Sequence, residues 1–177
     1  MTTGKAIQVR RTTLPAVQPS IALALGGGGA RGLAHILMLE VFDELGLKPK
    51  IIAGTSIGAI FGAAYASGLS ARLIRAHTEE LLSSRRFDVA RLLISARAEP
   101  IFKILNFLPM RSALLAPELL LDFVLPSKFP RDFADLLIPL KVIATDFYAQ
   151  EQLIIDSGPL RTAVAASMAL PALLGAF

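Results

Sequence analysis

Twice in this chain a short apolar run ends in glycine and opens into a helix-forming stretch. Ile21-Ala22-Leu23-Ala24-Leu25 runs into Gly26 to Gly29, and Ile51-Ile52-Ala53 runs into Gly54-Thr55-Ser56-Ile57-Gly58. A strand that is apolar along its whole length has no wet side, so it belongs inside a sheet rather than at a solvated face. Parallel strands of that kind are joined by crossovers, usually helices. The repeated strand–glycine–helix unit therefore restricts the fold to α/β and excludes helix bundles and β-sandwiches.

The remaining elements follow from the same reading. Arg31 to Leu45 predicts a helix, with Leu33, Leu37, Val41 and Leu45 recurring every fourth residue as its apolar stripe, Glu40, Asp43 and Glu44 on the wet side, and Gly46 as the stop. Ile57 to Ser67 predicts a helix of small residues, and Ser70 caps another that runs to about Ser83. Leu140 to Thr145 and Gln152 to Ile155 are expected strands, and Ser157 with Pro159 opens a last helix that Pro171 ends. From Arg85 to Pro130 short helical pieces are broken by Pro100, Pro109, Pro117 and Pro126. Residues 1–19, with Pro15 and Pro19, read as a flexible lead-in, and residues 20–177 as one domain, which suits a chain of 177 residues. The expected architecture is a three-layer α/β fold, a mostly parallel sheet with helices on both faces.

Composition narrows the function classes. With 54% apolar and 18% charged residues the chain is neither disordered nor fibrous. It has no cysteine, which excludes disulfide scaffolds and cysteine nucleophiles, and its only two histidines, His35 and His77, argue against zinc. No metal and no other cofactor is expected. The net charge of +4 resides in residues 72–111, where Arg72, Arg75, Arg85, Arg86, Arg91, Arg97, Lys103 and Arg111 outnumber Glu79, Glu80, Asp88 and Glu99. Basic residues interleaved with Leu, Ile and Phe suit an anionic membrane surface better than a nucleic acid, so no nucleic-acid partner is expected. The competing reading of that segment is a set of solvated helix faces.

Arg10 and Arg11 precede an uncharged stretch, but two prolines and four glycines interrupt what an export signal would keep apolar. The uncharged run Ile51 to Ala71 is long enough to span a bilayer, yet its glycines, Thr55, Ser56, Ser67 and Ser70 fit a buried strand and helix better. The expected location is the cytoplasm, with peripheral contact at the inner face of the membrane.

The first glycine loop, Gly27-Gly28-Gly29-Ala30-Arg31-Gly32, matches the letters and the setting of a dinucleotide fingerprint. That fingerprint wants an acid at the tip of the second strand, and no acidic residue occurs between Glu44 and Glu79. A phosphate-binding loop would need Gly-Lys-Ser/Thr, which is absent. Consecutive glycines still let the backbone approach a ligand closely, and their N–H groups at a helix start favour negative charge. An oxyanion hole needs that combination.

The second loop, Gly54-Thr55-Ser56-Ile57-Gly58, has the form G-x-S-x-G between a strand and a helix, the setting of a nucleophile elbow. Ser56 is the candidate nucleophile; the competing reading is a buried serine at a strand–helix junction. In α/β-hydrolases the order is serine, acid, histidine, and His77, the only histidine after Ser56, precedes any acid on a later strand. His35 reads as packed in the first helix. A serine paired directly with a carboxylate needs no histidine.

Taken together, these residues resemble the patatin-like phospholipase family, and within it the bacterial and neuropathy-target-esterase branch. The resemblance rests on Gly27-Gly28-Gly29-Ala30-Arg31-Gly32, Gly54-Thr55-Ser56-Ile57-Gly58, Ala144-Thr145-Asp146 and Ala166-Ser167-Met168-Ala169-Leu170-Pro171, in family order from about residue 20 to the end. It implies a Ser-Asp dyad that hydrolyses phospholipid or lysophospholipid esters. Ser56 would be the nucleophile, and the N–H groups of Gly27, Gly28 and Gly29 would hold the oxyanion. Arg31 would anchor the loop or meet the head group, and Ser167 would belong to a packing block. The family's aspartate lies in an Asp-Gly-Gly or Asp-Gly-Ala motif beyond that block, and neither motif occurs in the 177 residues. The chain is therefore expected to be a fragment or a natural truncation lacking its base, with Asp146 and Asp156 as the alternative acids. The competing functions are a non-catalytic lipid- or membrane-binding form of the same fold and a nucleotide-binding domain.

Overall fold

The computed structural model describes residues 20–83 and 129–169. Four strands form one sheet in the order β1 (Ala22–Leu25), β2 (Ile51–Thr55), β3 (Leu140–Asp146) and β4 (Glu151–Ile155). The first three are parallel, and β4 folds back antiparallel on β3 as a hairpin. The helices are α1 (Ala34–Glu44), α2 (Ile57–Ala66), α3 (Ala71–Ser83) and α4 (Leu160–Met168), with 3-10 turns at Gly29–Leu33 and Phe133–Asp135. The fold class is α/β with a mostly parallel sheet, as the alternation of apolar runs and helices implies.

Register decides where the core sits. Leu23 pairs with Ile52 and Ile52 with Leu140, while Leu25 pairs with Gly54 and Gly54 with Val142. Side chains alternate along a strand, so these residues share one face, and all of them are buried. Helix α2 lies on that face. Its small residues Ala59, Gly62, Ala63 and Ala66 let it sit flush with the sheet, with Gly62 close to Ile52, Leu140 and Leu25. Helix α4 packs on β3 and α2 through Leu160, Ala163 and Val164, all almost fully buried. The uncharged run from Ile51 is thus a strand and a buried helix; among the described residues no helix is long and apolar enough to cross a membrane.

The apolar stripe expected on α1 is not the buried one. Ile36 and Leu39 are buried, whereas Leu37, Val41 and Leu45 are 58%, 49% and 65% exposed. A strict fourth-residue spacing drifts about 40° per step around a helix of 3.6 residues per turn, so it marks a line that winds off any one contact face. The side taken as wet carries the contacts instead. Asp43 accepts hydrogen bonds from the Tyr65 hydroxyl at 2.7 Å and the Ala71 N–H at 2.7 Å, and Glu40 receives the Arg75 guanidinium. Burial beside Asp43 pushes the Tyr65 phenol well above the usual tyrosine range.

Two further boundaries differ. Gly29–Leu33 is a tighter 3-10 turn, entered from Gly28 at φ 145°, and the α-helix proper starts at Ala34. Helix α4 ends at Met168 rather than running to Pro171, whose ring would crowd the Ser167 carbonyl and whose missing N–H removes a helical bond. Gly46 is the stop as expected: it adopts φ 63°, its N–H meets the Asp43 carbonyl, and Leu47 N–H meets Phe42. The lead-in, the helical pieces expected from Arg85 to Pro130 apart from Phe129 and Pro130, which are not helical, and the basic residues from Arg85 to Arg111 lie outside the described residues.

Candidate active site

Because β1 and β2 are parallel neighbours, the segments leaving their C-terminal ends stand side by side. Those segments are the two glycine motifs. Ser56 sits between β2 and α2 at φ 52°, ψ −121°, a backbone conformation that a side-chain-bearing residue adopts only when its surroundings hold it. Such strain costs about 1–3 kcal/mol and is concentrated at functional sites. Its carbonyl accepts from the N–H groups of Ala59 at 2.9 Å and Ile60 at 3.2 Å, so Ser56 caps α2 through its backbone. Its hydroxyl makes no capping bond and stays available. The positive end of the α2 dipole lies at this residue.

The glycines around Ser56 are needed for close approach. A Cβ at Gly58 would stand 2.0 Å from the Leu25 carbonyl oxygen, and one at Gly54 would stand 2.6 Å from the Gly58 oxygen. Strand, elbow and first helical turn are thus stacked backbone on backbone.

The first glycine loop closes against this elbow. A Cβ at Gly27 would lie 3.5 Å from Ser56 Cβ, and one at Gly32 would meet the Ile57 side chain. Gly26 to Arg31 are all exposed, and the N–H groups of Gly27, Gly28 and Gly29 meet no acceptor among the described residues. His35 Nε2 lies 2.9 Å from the Gly26 carbonyl, to which it donates, so this histidine latches the loop to α1. Arg31 is exposed, forms no ion pair among the described residues, and ties into the loop through its N–H to the Gly28 carbonyl at 3.2 Å.

Two aspartates were alternatives for a base. Asp146, at the end of β3, accepts from Tyr148 N–H at 3.0 Å and Ala149 N–H at 2.9 Å, closing the β3–β4 turn. Asp156 lies 3.4 Å from Lys141 Nζ. Ile155 pairs with Val142 and Thr55 with Ile143, so Asp156 is level with Lys141 and Ser56 with Ala144. Three residues of strand separate them, about 10 Å, and they are two strands apart. His77 lies on α3, which packs on α1. An open cavity of about 570 Å³, bordered by Ile51, Phe133, Leu136, Pro139 and Asp156, lies at the opposite end of the strands from Ser56.

Ser167 does reach the elbow. Its Oγ accepts the Ser56 N–H at 2.8 Å and donates to the Ile143 carbonyl at 2.5 Å. Sequence reasoning placed it in a packing block, and nothing local marks a serine whose partner is 111 residues away.

The sequence pattern of the patatin-like phospholipase family matches residues 23–177. The chain belongs to this family. An uncharacterized NTE family protein of Mycobacterium bovis is 33% identical over 156 residues, 88% of this chain and 39% of that protein. A lysophospholipase NTE1 of Coccidioides immitis is 55% identical over 47 residues, 27% of this chain and 3% of that protein. The crystal structure of ExoU from the type III secretion system of Pseudomonas aeruginosa, solved with SpcU, superposes with a TM-score of 0.56 at 19% identity. It covers 89% of this chain and 39% of ExoU. That likeness shows the fold, the three-layer α/β patatin fold, of which the described residues supply four strands and, on their Leu25–Ile52–Val142 face, helix α2. This patatin-like chain thus spans 39% of the length of its mycobacterial relative.

Proposed function

We propose that this chain carries the nucleophile and oxyanion-binding part of a serine acyl-ester hydrolase acting on phospholipids or lysophospholipids. The observation that carries the reading is the juxtaposition of Ser56, strained on its elbow with an uncapped hydroxyl, and Gly27, whose exposed loop has three N–H groups that meet no acceptor among the described residues. Ser56 Oγ attacks the acyl carbonyl while its proton passes to a carboxylate base. The tetrahedral oxyanion is held by the N–H groups of Gly27, Gly28 and Gly29 and by the dipole of α2. The alcohol portion of the lipid leaves with a proton, and water then releases the fatty acid from Ser56. In the Ser-Asp dyad of this reading, the aspartate belongs to an Asp-Gly-Gly or Asp-Gly-Ala motif, which the 177 residues do not contain. Arg31, exposed at the loop, suits a lipid phosphate.

The second reading is a lipid-binding form of the same fold without turnover. One observation favours it: the Asp146 carboxylate is occupied in a turn, and Asp156 is paired with Lys141 at the other end of the sheet.

Competition separates the readings. A fluorophosphonate should modify Ser56, and a short-chain lysophosphatidylcholine below its micellar concentration should slow that modification. Protection by NAD alone would support a nucleotide site. In a version extended to carry the Asp-Gly-Gly or Asp-Gly-Ala motif, fatty-acid release from the lysophospholipid, absent in Ser56→Ala, marks the hydrolase; protection without release in that version marks the lipid-binding form. The cytoplasmic location and peripheral membrane contact are part of the same proposal. Binding to anionic vesicles should fall as salt rises and as Arg85 and Arg86 are replaced by glutamate, and equal binding to neutral vesicles would contradict it.

A further inference from the structure

We infer that Ser167 is the positioning residue of the nucleophile, holding Ser56 in its strained conformation through the Ser56 N–H. The inference rests on the reading of Ser56 as nucleophile. Its basis is the hydrogen-bond ladder of the sheet. Ile52 pairs with Leu140, and its N–H donates to the Pro139 carbonyl at 2.9 Å. Advancing two residues along each parallel strand, the Gly54 N–H faces Lys141 and the Ser56 N–H faces Ile143. The next rung of the β2–β3 ladder would therefore be Ser56 N–H to the Ile143 carbonyl.

That rung is not made directly. The Ser167 hydroxyl stands in it, accepting from Ser56 N–H at 2.8 Å and donating to Ile143 at 2.5 Å. One oxygen thus widens the last rung and satisfies both of its ends. Pairing with β3 ends at Thr55, and Ser56 turns out of the strand direction to φ 52°. On its other side the residue is already fixed, because its carbonyl accepts the first two bonds of α2. Without the hydroxyl, one side of the strained residue loses its hold, the N–H and the Ile143 carbonyl lose their partner, and the Ser56 side chain loses its fixed aim at the loop around Gly27. Ser167 touches no substrate in this role. Helix α4, which carries it, packs on both β3 and α2, so the hydroxyl is presented from a rigid element.

The test compares Ser167→Ala with Ser167→Thr, which keeps the hydroxyl, in two measurements on the full 177-residue chain. The first is hydrogen exchange of the Ser56 amide, read by NMR; the second is the rate constant for phosphonylation of Ser56 by a fluorophosphonate. Ser167→Ala should speed exchange at Ser56 by about tenfold or more, the loss of one well-made hydrogen bond. It should slow phosphonylation by about 10²-fold, the penalty of a misaimed nucleophile. Ser167→Thr should keep both near the unaltered values. Unchanged exchange in Ser167→Ala overturns the bridge, and faster exchange with unchanged phosphonylation reduces it to a structural bond and overturns the positioning role. If Ser167→Ala does not fold by circular dichroism, Ser167→Cys, similar in size but a poor hydrogen-bonding partner, is set against Ser167→Thr with the same expectations. A chain extended to carry the Asp-Gly-Gly or Asp-Gly-Ala motif whose unaltered Ser56 still resists phosphonylation refutes the hydrolase reading and this inference with it. A chain that reacts equally with and without the Ser167 hydroxyl refutes this inference alone.

Discussion

Replacing Gly58 by alanine sets two effects of opposite sign against each other. Glycine inside a helix is less favourable than alanine by about 0.5–1 kcal/mol, so propensity alone predicts that Gly58→Ala stabilises α2. The added Cβ, however, would stand 2.0 Å from the Leu25 oxygen, 2.5 Å from the Leu25 carbonyl carbon and 2.8 Å from the Gly26 oxygen. A carbon and a carbonyl oxygen in comfortable contact are roughly 3.3 Å apart, so the first separation must grow by about 1.3 Å. All three atoms are backbone at the end of β1, and none can rotate away. Either the first turn of α2 lifts, carrying Ser56, or β1 bends, carrying Gly27. Overpacking of this kind costs about 1–3 kcal/mol, and with no side chain to absorb it the upper end applies. That exceeds the propensity gain and corresponds to a melting temperature lower by about 4–8 °C in a domain of this size. A shift of about 1 Å at Ser56 should, on the proposed role of that residue, also slow its phosphonylation by about 10²-fold. The checks are a thermal melt followed by circular dichroism and a time course of fluorophosphonate labelling. Gly26→Ala, which meets nothing within 4 Å, gives the baseline for stability. A Gly58→Ala chain that melts at or above the unaltered temperature and labels at the unaltered rate would refute the stacking described for the elbow.

Three further outcomes are expected. Ser56→Gly removes the hydroxyl and also the penalty of a side chain at φ 52°; it should abolish labelling yet melt about 2–4 °C above Ser56→Ala, which keeps the strain, and equal melting temperatures would show that the elbow stores none. Gly28→Ala cannot hold φ 145° without strain, so the loop should rearrange and phosphonylation slow by about 10²-fold; an unchanged rate would remove the loop from oxyanion binding. The hydrogen bond from Arg75 holds the Glu40 carboxyl below the ordinary glutamate range. Its contribution to stability is therefore complete above the unfolded-state pKa and lost as pH falls through the lower folded-state value. Over that acidic interval the melting temperature of the unaltered chain should fall more steeply than that of Glu40→Gln, and parallel curves would contradict the pairing.

The parts legible in the sequence were those set by a strong local signal. The apolar runs at Ile21–Leu25, Ile51–Ala53 and Val142–Ala144 marked strands because parallel strands of an α/β sheet carry mostly apolar side chains. The G-x-S-x-G pattern marked the elbow because Gly54 and Gly58 are the only residues that fit where strand and helix backbones touch. Helix α1 shows where such reasoning fails. Its sequence offers two apolar lines, and the choice between them is made by partners on α2 and α3, Tyr65 and Arg75, far along the chain. The same holds for the acids. Asp43, Asp146 and Asp156 look alike in a sequence, yet one anchors a helix start, one closes a turn and one pairs with a lysine. Ser167 was the least legible, because its importance lies in a sheet rung that exists only once β2 and β3 are paired.

The central claim is that Ser56 is the nucleophile of this patatin-like fold, and the most direct test is the mass of the protein after prolonged exposure to excess fluorophosphonate, followed by peptide mapping of the adduct. A single added phosphonyl group is expected, carried by Ser56 and absent from Ser56→Ala under the same conditions. An adduct on another residue, or the same mass increase in Ser56→Ala, would contradict the account.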